Sequence, residues 1–129
     1  TASRELVLVE QYRFGSGELT LEIPGGVLDR GEEHGAAARR ELAEETGYTG
    51  GTWRYLGAVQ PNPAFQDNLC HHWLAEGVER TRGQGLDAGE DIAIRTMGLD
   101  EVVRAIREGR IRHALVVTAL SRVLDLRGS

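Results

Sequence analysis

A single cysteine, Cys70, stands in a chain of 129 residues, so no internal disulfide can brace the fold. A reducing, cytoplasmic setting is the corresponding expectation. No stretch approaches the roughly 20 consecutive apolar residues of a membrane-spanning helix, and no signal-peptide pattern opens the sequence, so no membrane partner is expected. Positive charge is also in short supply. The 15 Lys and Arg residues against 20 Asp and Glu leave a net charge of −5, the wrong sign for general nucleic-acid affinity. A phosphate-bearing ligand would therefore need local help, from a few arginines or from metal cations. Internal repeats, low-complexity tracts and a second-domain boundary are missing too. What remains, 40% apolar and 27% charged residues, is the composition of one ordinary globular domain spanning 1–129.

The patterning predicts a mixed α/β fold with helices on a central sheet. ELVLVEQYR reads as an opening strand, Thr20–Ile23 as a short second one, and Pro24-Gly25-Gly26 as its break. A loop from Gly31 runs into a helix over about 35–46, rich in alanine. Strands follow near Trp53–Gln60, Cys70–Ala75 and Ile92–Met97. Between the last two lies a polar, glycine-rich loop over 77–91, of a length that in compact domains is functional or disordered. Asp100–Glu108 reads as a helix stopped by Gly109, and His113–Leu126 as a final helix with Val116, Val117, Leu120, Val123 and Leu124 on its apolar face.

The first helix poses a physical problem. Residues three and four apart on a helix are neighbours, with Cβ atoms about 5–6 Å apart, and like charges there repel. Glu41, Glu44 and Glu45 have that spacing and face the negative end of the helix dipole before Gly47. Arg40 can pair with Glu44, but one guanidinium does not neutralise three carboxylates. A hard divalent cation resolves the conflict, because it prefers carboxylate and carbonyl oxygens and shares its shell with phosphates. The glycine turn just upstream allows a backbone carbonyl to approach as a further ligand. The competing reading is a solvated acidic helix laced by arginines.

The full spacing decides between them. Gly26, five residues, Glu32, seven residues, then Arg40-Glu41-Leu42-Ala43-Glu44-Glu45-Thr46-Gly47 resembles the box of the Nudix hydrolases, G-x5-E-x7-R-E-U-x-E-E-x-G-U, where U is a bulky aliphatic. Every fixed position is present; the one departure is Tyr48 at the last aliphatic position. The resemblance implies a Nudix-type mixed sheet sandwiched between helices and a Mg²⁺- or Mn²⁺-dependent hydrolysis of a nucleoside diphosphate linked to another moiety. It implies Glu41 and Glu45 as metal ligands, with Glu44 ligating a second ion or placing the water. Arg40 would orient the glutamates, Glu32 would hold the loop shape, and the Gly25 carbonyl would serve as a backbone ligand.

LVEQYRFGSGELTLEIPGG and GLDEVVRAIREGRIRHALVVTAL are similar to segments of the ADP-ribose and nucleotide-sugar branch, with Gly25 where that branch has alanine. In that branch the general base can come from a loop after the box. Here Glu90 is favoured, with Asp87, Asp91 and a helix glutamate as alternatives. Arg13 would contact a phosphate, or else form a surface salt bridge. Phe65 and Asn68, in the loop after the third long strand, would grip base or ribose. The branch also implies a homodimer, usually with an N-terminal extension that this chain, starting at the following strand, lacks. The alternatives are a nucleoside triphosphate or RNA-end pyrophosphohydrolase, and a non-catalytic Nudix ligand-sensing module; the intact glutamates speak against the latter. His71 and His72 are adjacent in a strand and so cannot jointly chelate an ion.

Overall fold

The computed structural model describes residues 1–127. The domain span expected from the sequence, 1–129, therefore has its last two positions outside the described residues. Ten elements follow one another: β1 (Glu5–Arg13), β2 (Glu18–Glu22), α1 (His34–Thr46), β3 (Tyr48–Thr49), β4 (Thr52–Val59), β5 (Cys70–Glu76), β6 (Glu79–Arg80), β7 (Ile92–Gly98), α2 (Leu99–Arg107) and α3 (Ala114–Ser121). The strands form three antiparallel sheets, β2-β1-β7, β3-β6 and β4-β5. No helix among the described residues is long and apolar enough to cross a membrane.

β1 is the centre of the molecule. Successive strand side chains point to opposite faces, so three consecutive buried residues, Val7, Leu8 and Val9, require cover on both sides. Leu8 enters a cluster with Val102 and Ala105 of α2, Ile111, and Val116 and Leu120 of α3. α1 packs against β1, β5 and β7. Each fully buried aliphatic side chain in this cluster contributes about 1.5–3 kcal/mol.

α1 starts at His34 rather than one residue later, because the Glu33 carboxylate serves as its N-cap, accepting from the N–H groups of Gly35 (2.7 Å) and Ala36 (2.9 Å). At Gly35 a Cβ would meet Trp73 Cζ2 at 2.9 Å, so the absent side chain lets the helix lie on β5. The contact is reinforced by aromatic groups. Trp73 Nε1 donates to His34 Nδ1 (2.9 Å), and the His34 ring stacks flat on His71 with centroids 4.0 Å apart. His72 points the other way, as strand alternation requires, and its Nδ1 accepts from Arg122 Nε (3.2 Å). Arg122 also donates to the carbonyls of Leu56 (2.9 Å) and Ala58 (3.2 Å), across the register irregularity of β4.

Two expectations need correction. The last helix ends at Ser121, not Leu126. Bonds from Arg122 N to Ala119 O and from Val123 N to Leu120 O tighten its final turn, although Leu124 still packs on the core. The loop after β5 is also more ordered than its composition suggests. It contains β6, paired with β3, and then runs alongside the C-terminal end of α1. Thr81 N (2.9 Å) and Arg82 N (3.3 Å) donate to Gly47 O, and Gly85 N to Glu44 O (2.7 Å).

Gly47 ends α1 with φ 77°, the left-handed conformation favoured by glycine, and its N–H donates to Ala43 O at 2.8 Å. A Cβ there would run into the backbone of Arg82. Gly47→Ala is expected to lower stability by about 1–3 kcal/mol, since both the backbone angle and the Arg82 carbonyl oppose it. Urea unfolding of the two proteins would measure this; equal midpoints would refute it.

Candidate active site

The site grows from one arginine. Arg40 on α1 donates through Nε (2.8 Å) and Nη2 (2.9 Å) to the two oxygens of Glu32, a fork on a carboxylate, and so fastens the loop before the helix to the helix itself. Its Nη1 reaches Glu41 (3.0 Å) and Glu44 (3.1 Å), while Asp29 lies 3.6 Å from Nε. The pairing with Glu44 foreseen from spacing is thus one part of a larger network. The Arg40 hydrogen bonds, joined by the Asp29 N–H, hold the Glu32 carboxyl down at about 2. Arg40 itself is raised above the usual guanidinium value, chiefly by its bonds to Glu32.

Glu45 is left outside this network. Its residue is only 4% exposed, and burial, with Glu41 close by, pushes its carboxyl up to about 8. Burial raises Glu41 as well. The Gly25 N–H donates to Glu45 Oε2 at 3.3 Å, which brings the glycine turn against the helix. At the next residue, Gly26, a Cβ would collide with the carboxyl group of Glu41; the turn can close over the carboxylates because no side chain stands there.

Among the described residues, no group of three or more His, Cys, Asp or Glu side chains is arranged to hold a metal ion. The carboxylates are turned onto Arg40 and onto one another. Their chemistry nevertheless suits a hard divalent cation. Two carboxyls one helical turn apart, one of them driven towards its neutral form by burial and by the charge of the other, meet a backbone turn that permits close approach.

The remaining residues singled out from the sequence fall in three places. Glu90 stands near enough to Glu45 to add to the field that raises it. Its Oε1 accepts from the Asp87 N–H (2.7 Å), so Glu90 and Asp87 form one small turn, with Asp91 next in the chain. Arg13 lies at the end of β1, where its Nε (2.7 Å) and Nη2 (2.6 Å) fork onto Glu22, and its charge is felt with that of Glu45. Phe65 and Asn68 line a different, open depression on the loop between β4 and β5, with Pro63, Gln66 and Asp67. Among the described residues that loop makes no hydrogen bond to the α1 carboxylates.

Three participants were not singled out from the sequence. Glu22 is 4% exposed and is the base on which Arg13 rests, with a further bond from the Thr20 hydroxyl. Asp29 completes the ring around Arg40. Gln84 spans from α1 to β7 through its side-chain amide. None has a spacing rule; the only signal was a Glu and an Arg flanking a short hairpin.

Residues 1–120 match the NUDIX domain, and the chain belongs to that family. It is 36% identical over 121 residues to a methanol dehydrogenase activator of Bacillus methanolicus, covering 93% of this chain and 65% of that protein. It is 30% identical over 121 residues to an ADP-ribose pyrophosphatase of Bacillus subtilis, with coverage of 93% and 65%. The crystal structure of an ADP compounds hydrolase shares the fold, with a TM-score of 0.83 at 23% identity over 95% of this chain and 66% of that one. This chain thus spans just under two thirds of the length of these relatives.

The Glu45 environment has a measurable cost. In the unfolded chain the carboxyl releases its proton above about 4.5, whereas in the folded protein it holds it up to about 8. Between those values the folded state binds more protons, so this group's contribution to stability falls as pH rises through that window. With EDTA present, Glu45→Gln is expected to be the more stable protein, by roughly 1–3 kcal/mol at pH 7, with a smaller advantage at pH 5. Thermal melts at both pH values decide it; a less stable variant at pH 7 would show that Glu45 is not strained.

Proposed function

We propose that the protein is a Mg²⁺- or Mn²⁺-dependent pyrophosphohydrolase that cleaves a nucleoside diphosphate linked to another moiety, ADP-ribose or another nucleotide sugar in particular. The observation that carries this reading is the buried Glu45 carboxyl, raised by burial and by Glu41 and touched by the Gly25 turn, inside a complete Nudix box. Supporting it, one relative of similar sequence is an ADP-ribose pyrophosphatase.

In this reading Glu41 and Glu45 hold the ion, with Glu44 and the Gly25 backbone beside them. When bound, the cation neutralises diphosphate charge and activates water for attack at phosphorus. The protein's own residues do the rest. Arg40 keeps Glu41 and Glu44 turned inwards while Glu32 anchors it from the loop side. Glu90, one oxygen fixed by the Asp87 N–H, takes the proton of the attacking water through the other. Arg13, braced by Glu22, meets a phosphate oxygen. Phe65 and Asn68 supply contacts to the base or ribose.

The net reaction adds water across the pyrophosphate: ADP-ribose gives AMP and ribose 5-phosphate. The partner is a small molecule, and the negative net charge disfavours nucleic acid. We place the chain, as one Nudix domain, in a reducing cytoplasm, in keeping with its lone cysteine. A homodimer would cover the apolar groups displayed by the β1–β2 hairpin, Tyr12, Leu19 and the 92%-exposed Phe14.

Incubation with ADP-ribose and MgCl₂, followed by chromatography, is expected to yield AMP and ribose 5-phosphate. EDTA should abolish turnover. Glu45→Gln should lower kcat at least about 100-fold, as should Glu90→Gln if it removes the general base. Full activity of Glu45→Gln would overturn the assignment.

A further inference from the structure

Gln84 joins two parts of the candidate site that the sequence keeps far apart. Its Nε2 donates to Glu45 O on α1 (2.7 Å) and to Ile92 O at the start of β7 (2.8 Å). The adjacent Gly85 N–H donates to Glu44 O (2.7 Å). The segment 85–91 is therefore tied at its start to the α1 turn that carries Glu44 and Glu45, and at its end, through Ile92 O, to the Gln84 amide that holds the same turn. Inside that closed segment, Glu90 N donates to Asp87 O (3.1 Å) and Asp87 N to Glu90 Oε1 (2.7 Å), a pair of bonds that fixes the Glu90 side chain to its own turn.

The orphan carbonyls at a helix C-terminus need donors, and water serves well enough at an exposed end. Here a side-chain amide takes that place, and its second N–H bond goes to the strand that begins where the Glu90 turn ends. A donor serving only to cap α1 would need no such second partner. We propose that Gln84 is a positioning residue: by pinning β7 to the Glu45 turn, it sets where the Glu90 carboxylate stands relative to Glu45. This inference rests on the reading of Glu90 as the base that takes the water's proton.

A kinetic cycle on the full chain tests it, with ADP-ribose and MgCl₂. Gln84→Ala, and the nearly isosteric Gln84→Glu that cannot donate, are each expected to lower kcat about tenfold with KM within twofold. In a Glu90→Gln background, Gln84→Ala should cost no more than a further twofold, because the group it positions is already disabled. Hydrogen exchange should quicken in residues 85–91, while the rise in melting temperature on adding MgCl₂ stays as in the unaltered protein. An equal loss in both backgrounds would overturn the proposal and leave Glu90 as the base. Unchanged exchange and kcat in both Gln84 variants would do the same. A Glu90→Gln protein with full kcat would instead sink the reading of Glu90, and the proposal with it.

Discussion

Arg40 holds the loop before α1 to the helix through Glu32, and with the same guanidinium turns Glu41 and Glu44 away from solvent. Like charges crowded on one helix face would otherwise swing apart. The paired bonds to Glu32 also fix the plane of the guanidinium, so that Nη1 points at the helix carboxylates while Nη2 also reaches the Val27 carbonyl. One cation cannot satisfy every acidic neighbour, and the excess is concentrated at Glu45. Burial, with Glu41 beside it, gives Glu45 an unusual affinity for protons, and burial raises Glu41 as well. A lysine at position 40 would lack both the fork and the reach to hold Glu32, Glu41 and Glu44 together.

The helix bearing these groups is secured at each end by something other than its own propensity. Glu33 caps its start, and the His34, His71 and Trp73 rings seat that end on β5. At its finish, donors from residues 81–85 take up the carbonyls of Glu44, Glu45 and Gly47. Rigidity at both ends matters because carboxylates that are to share one charge must keep their separation to within fractions of an ångström.

Much of this was legible in the sequence, for reasons that differ by element. The β-rich run Glu5–Arg13 announces a strand, and the spacing from Gly26 to Gly47 announces loop, helix and acidic cluster together. Periodicity failed where it persisted without a helix: Val123 and Leu124 keep the apolar spacing, yet the chain has already turned so that Arg122 can bond the carbonyls of β4. The short β3–β6 pair was hidden because two residues are too few to show any period. Arg13 was visible as a charged residue near the box, but its partner Glu22 was not, since a buried ion pair depends on hairpin register: Arg13 faces Glu18, and Glu22 lies opposite Val9. Gln84 left no trace at all. A polar side chain in a glycine-rich loop looks the same whether it is solvated or bridges two elements.

The position of β1 in the middle of its sheet bears on how the chain reaches this state. β2 can pair with β1 as soon as the hairpin is made, but the other edge of β1 waits for β7, with Glu5 opposite Gly98. Contacts of such separation close slowly, because a long loop must be ordered before they form. On a ribosome, the strand that carries the buried Val7, Leu8 and Val9 would therefore keep one edge unpaired until β7 emerges. The carboxylate cluster, local to residues 25–45, could take its loop-and-helix shape as soon as that stretch emerges, whereas Gln84 and Glu90 would join it only after the strands β3 to β6 have been made, so the site is completed in two separate stages.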